Sequence, residues 1–71
     1  MRTFSLMIQD DRYTVPTVAL VEALDEGQAR DLAARRMNES PHHLAVEVFE
    51  DDALLFRVTR GKRLRYVPSP A

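Results

Sequence analysis

The chain has 71 residues, 45% of them apolar and 30% charged, with no cysteine and a formal net charge of −1. That length fits one small domain, the lack of cysteine excludes disulfides and thiolate metal sites, and no apolar run approaches the roughly 20 residues of a membrane helix. A domain this small hides only about 60% of its unfolded surface, so pairing with a second copy is the common remaining route to extra stability.

The first segment, RTFSLMIQ, alternates: Phe4, Leu6 and Ile8 fall on one side, Thr3, Ser5, Met7 and Gln9 on the other. Period-two patterning predicts a strand, and Asp10-Asp11-Arg12 supplies the polar turn that ends it. The opening residues have too short an apolar part for a signal peptide and no cleavage pattern, so the expected location is the cytoplasm. YTVPTVALVEAL is rich in β-branched residues and predicts a second strand. Pro16 has no N–H for a ladder, so the strand is expected to kink there and to run from Thr17 to Ala23.

The single helix has a well-marked start. Asp25 suits the N-cap and Gln28, three residues on, completes a capping box, with Leu24 and Ala29 spaced as a hydrophobic staple. Ala29, Leu32, Ala33 and Met37 form one apolar stripe, and Pro41 stops the helix soon after Asn38. Glu26–Arg30 and Asp31–Arg35 stand at i,i+4 with the acid first, the favourable order on an exposed helix face.

HLAVEVFE alternates again, with Leu44, Val46 and Val48 on one side. Glu50-Asp51-Asp52 is a turn, and LLFRVTR returns with Leu54, Phe56 and Val58 on one side. Gly61-Lys62 fits a two-residue hairpin turn with Gly first. A fifth strand through Arg63–Val67 then places Leu64 opposite Thr59 and Tyr66 opposite Arg57. The predicted fold is therefore α+β, a ββαββ(β) order with a four- or five-stranded sheet and one helix packed on one face. It forms one domain over residues 1–67, followed by a disordered tail at 68–71.

One helix covers one side of a sheet, and the expected core joins Phe4, Leu6, Ile8, Leu44, Val46, Val48, Leu54, Phe56 and Val58 to the helix stripe. The other side also carries apolar residues: Met7, Ala19, Phe49, Leu55, Leu64 and Tyr66. A wide uncovered apolar surface marks an interface, so these six residues are the predicted contacts of a homodimer.

The run EGQARDLAARRM followed by HLAVEVFEDDALLFRV resembles small uncharacterised bacterial single-domain proteins built from a hairpin, a helix and a closing hairpin. The resemblance covers roughly residues 2–59 and implies the same fold. It carries no activity onto particular residues.

Charge is unevenly distributed. Residues 1–56 hold five bases against eleven acids, a balance of −6, and residues 57–71 hold five bases and no acid, a balance of +5. Arg57, Arg60, Lys62, Arg63 and Arg65 are candidate phosphate contacts, with Tyr66 placed to stack on a base. The acidic remainder of the chain weighs against this nucleic-acid reading. One of His42 and His43 with Asp10 or Asp11 is a sparse candidate pair for an ion, at a spacing that matches no metal motif. Ser5, Ser40 and Ser69 lack a nucleophile-elbow context, and two glycines cannot build a phosphate-binding loop. No cofactor, resident metal or membrane partner is expected. The leading reading is a non-enzymatic protein-interaction module that dimerises, ahead of a nucleic-acid-binding module and, third, a small-ligand site at a dimer interface.

Overall fold

A computed structural model of the chain describes residues 1–60 in full and residues 65–68 as backbone. The elements in chain order are β1 (Arg2–Asp10), β2 (Thr17–Ala23), α1 (Glu26–Asn38), β3 (His43–Glu50), β4 (Ala53–Thr59) and β5 (Arg65–Pro68). They form one antiparallel sheet in the order β2-β1-β3-β4-β5 with a single helix, the predicted α+β architecture. Because β2 and β3 both run antiparallel to β1, they are parallel to each other, and α1 carries the chain across β1 between them.

Local chemistry accounts for the element ends. β2 starts at the residue after Pro16 and forms a sheet edge, as a strand preceded by a missing donor allows. Asp25 caps α1 by accepting the Gln28 N–H at 2.8 Å. The Gln28 side chain reaches one residue further back than a capping box requires, and its Oε1 accepts the Leu24 N–H at 2.6 Å. The expected staple is not made, since Leu24 is 67% exposed although Ala29 is buried. Asp51, in the β3–β4 turn, takes φ 54, a left-handed conformation that Asp tolerates better than most side chains.

The core lies between α1 and one side of the sheet. Phe4, Leu6 and Ile8 from β1, Val46 and Val48 from β3, and Phe56 and Val58 from β4 meet Ala29, Ala33 and Met37, with Leu32 packed against them. Two β-bulges correct the expected core. Between Gln9 and Asp10 the β1–β3 register slips, so Asp10 pairs with His43 and Leu44 is left over. Leu44 is consequently exposed, and Ala45 is buried beside it. Between Val48 and Phe49 the β3–β4 register slips in the same way and leaves over Leu55. Leu55 packs against the core, and Leu54 pairs with Phe49, which lies across from Ser5 on the open side. Strict alternation had placed these two leucines the other way round; one extra residue reverses the side on which each following residue falls.

Candidate functional site

Two regions bring together the residues singled out by the sequence: the polar end of the sheet, where β1 finishes and β3 begins, and the side of the sheet away from α1.

At the polar end, Asp10 is the one buried charged residue among those described. Its Oδ1 accepts the Arg12 main-chain N–H at 2.8 Å and the Arg12 Nε–H at 3.0 Å, and its Oδ2 accepts Arg12 Nη2–H at 2.7 Å. These hydrogen bonds from the Arg12 side chain hold the carboxyl well below the usual carboxylate range, against an opposing push from burial. Asp11 turns outward and its Oδ1 lies 2.8 Å from His42 Nδ1, while the Asp11 N–H donates to the His42 carbonyl at 3.0 Å. His43 Nδ1 lies 2.6 Å from the Arg36 carbonyl, an acceptor only, so Nδ1 carries the proton and donates. His43 Nε2 then faces Asp10 Oδ2 at 3.7 Å.

The first bulge is what aligns these groups, because it puts His43 rather than Leu44 opposite Asp10. The two histidines have different partners: His42, in the turn before β3, meets Asp11, and His43, the first residue of β3, meets the Arg36 carbonyl. Each sits beside a different aspartate, and among the described residues no group of three or more His, Cys, Asp or Glu side chains can hold a metal ion.

Arg60 serves the same end of the sheet. Its guanidinium donates to the carbonyls of Met37, Ser40 (3.0 Å) and His43 (3.2 Å). Those carbonyls include the end of α1, where helical acceptors lack partners and the macrodipole favours a cation. Arg60, expected among the phosphate contacts, is thus held by the backbone of its own chain. Arg57 lies directly across from Glu47 on the sheet. Lys62 and Arg63 lie outside the described residues. Sequence reasoning missed the clamp by Arg60 because its acceptors stand 17 to 23 positions away.

On the open side the register sets Val18 against Met7 and Leu20 against Ser5, with Phe49 next to Ser5 and Leu54 next to Phe49. Of the six predicted dimer contacts, Met7 and Phe49 are where the alternation put them. Ala19 pairs with Leu6 and Leu55 sits at the second bulge, and both pack against the core on the helix side. Tyr66 pairs with Val58 and Arg65 with Thr59, one residue away from the expected hairpin register. That register removes Tyr66 from the position opposite Arg57, which Val67 holds instead. Leu64 and the predicted Gly61-Lys62 turn lie outside the described residues.

The exposed apolar surface is concentrated. Seven large apolar side chains are exposed among the described residues, and five of them, Tyr13, Val15, Val18, Leu20 and Leu24, lie on or beside β2. Val18 and Leu20 lie on the side of the sheet away from α1, where no described element covers them. On the helix side, Ala19 and Val21 are only partly buried. No helix among the described residues is long and apolar enough to cross a membrane. No family model, curated protein or solved structure matches the chain.

Proposed function

We propose that the chain is a non-enzymatic protein-interaction module that works as a homodimer, with the exposed apolar side chains of β2 covered by a second copy. The observation that supports this reading is the exposure of five large apolar side chains on or beside β2, at Tyr13, Val15, Val18, Leu20 and Leu24. Exposed large apolar side chains gathered along one segment mark interaction sites on small proteins. The main polar groups support the same reading, because Asp10, His43 and Arg60 are engaged with Arg12 and with backbone carbonyls in roles that hold the fold together. Sedimentation velocity over a nanomolar to high-micromolar range tests the proposal. The expected result is a species of twice the chain mass that dissociates on dilution. A single species of the chain's own mass at every concentration refutes it, and binding to a mixed-sequence oligonucleotide that weakens steeply with salt would favour the nucleic-acid reading.

A further inference from the structure

We infer that two copies join edge to edge through β2, antiparallel, so that the two sheets run on as one. This rests on the homodimer reading above and specifies its seam.

Three features of β2 converge. First, it is a lightly guarded edge, with Glu22 its one charged residue and Pro16 just outside it. Its seven residues pair with β1 in one unbroken register, without a bulge, and contain neither proline nor a basic residue. Natural edge strands are normally protected by such devices, because a free row of N–H and C=O groups invites another strand. The opposite edge, β5, ends on Pro68, and the sheet's bulges lie away from β2. Second, both sides of β2 are short of cover: Val18 and Leu20 are exposed on the open side, and Ala19 and Val21 are only partly buried on the helix side. A partner strand pairing in the plane of the sheet covers both sides at once, which a partner stacked on the open side does not.

Third, the segment is complementary to itself when reversed. From Arg12 to Gln28, the base comes at the beginning and the acids, Glu22, Asp25 and Glu26, come at the end. Near the beginning, Asp10 is paired with Arg12 and Asp11 with His42. Antiparallel pairing keeps the three acids of the two copies apart, at opposite ends of the seam; parallel pairing would set them against their own copies. Face matching then selects the register. Residues directly opposite in an antiparallel pair lie on the same side of the sheet. Pairing centred on Ala19 sets Val18 of each copy against Leu20 of the other, giving two apolar contacts on the open side. Pairing centred on Leu20 would set Val18 against Glu22.

Because the chain has no cysteine, one substitution reports on this geometry. In the proposed register Ala19 faces itself across the two-fold axis at the Cα separation of a strand pair, about 4.5–5.5 Å, within the range a disulfide spans. Ala19→Cys is expected to cross-link into a covalent dimer under mild oxidation, at protein concentrations where the wild type is dimeric. Leu20→Lys, at a side chain that is already exposed, is expected to leave the circular dichroism spectrum unchanged and to sediment as a monomer. A wild type that is monomeric throughout refutes the homodimer itself. A wild-type dimer whose Ala19→Cys variant folds, remains dimeric and stays uncrosslinked leaves the homodimer standing and overturns the β2 seam. Cross-linking of Ala19→Cys together with a monomeric Leu20→Lys supports it.

Discussion

Asp10 shows how one side chain links turn, sheet and helix. Its carboxylate is tied to Arg12 by three hydrogen bonds and stands beside His43, whose other nitrogen holds the Arg36 carbonyl of α1. The folded chain keeps Asp10 ionised far below its usual range, and Arg2, through its own hydrogen bonds, lowers Glu50 in the same direction. A carboxylate whose pKa is depressed on folding stabilises the fold at pH values above its unfolded pKa, about 4, and loses that contribution as pH falls through the folded value. The contribution of these two carboxylates, measured by urea denaturation, is therefore expected to be fully present above about pH 5 and to fall away below about 4. Asp10→Asn is expected to lower stability at pH 7 and to flatten the acid limb; an unchanged acid limb in that variant would move the effect elsewhere. In the core, Leu6 and Met37 are fully buried. Truncating either to Ala should cost about 2–5 kcal/mol, transfer and cavity effects together, a loss that takes a domain with a stability of about 5 kcal/mol down to between about 3 and 0 kcal/mol. Thermal melts of the two variants check this.

Helix α1 depends on its two ends. Asp25→Ala removes the N-cap acceptor and should cost about 0.5–2 kcal/mol. Gly27→Ala would ordinarily gain up to about 1 kcal/mol in a helix interior, but a Cβ there would meet the capping Oδ1 of Asp25 at 3.3 Å. The gain should therefore be small in the wild type and larger when Asp25 is already Ala, a coupling that a double-mutant cycle measures. At the other end, Arg60→Ala unties the carbonyls of Met37, Ser40 and His43 and should cost about 1 kcal/mol, a value near that of a single exposed hydrogen bond. Much of this was legible in the sequence. Alternation located β1, β3 and β4, Pro16 located the start of β2, and Asp25 with Pro41 bracketed α1. What stayed hidden were the two bulges, because at each slip both neighbours are apolar: Leu44 beside Ala45 and Leu54 beside Leu55. Hydrophobic alternation carries no parity signal where consecutive residues are both apolar, and only pairing with the next strand decides which one turns inward. The same limit put Ala19 and Leu55 on the open side of the sheet, whereas both lie on the helix side, and the alternation gave no sign of the role of Arg60.

The described residues form a five-stranded sheet with one helix, which covers one side of it. β2 lies at an edge of that sheet, with Val18 and Leu20 exposed on the other side and Ala19 and Val21 only partly buried on the helix side. Coupling between association and folding is then the property to measure. If the native state is a dimer and the unfolded chain is not, mass action stabilises the fold as concentration rises. A tenfold rise is worth about 1.4 kcal/mol per dimer, or about 0.7 kcal/mol per chain. For a domain of this length 1 kcal/mol moves Tm by about 4–8 °C, so Tm should climb about 3–6 °C for each decade of concentration. Leu20→Lys should melt at one temperature at every concentration, below the wild type at high concentration and close to it at high dilution. A wild-type Tm that does not move with concentration would mean that folding is complete in the single chain, and that the exposed surface around β2 contributes nothing to its stability.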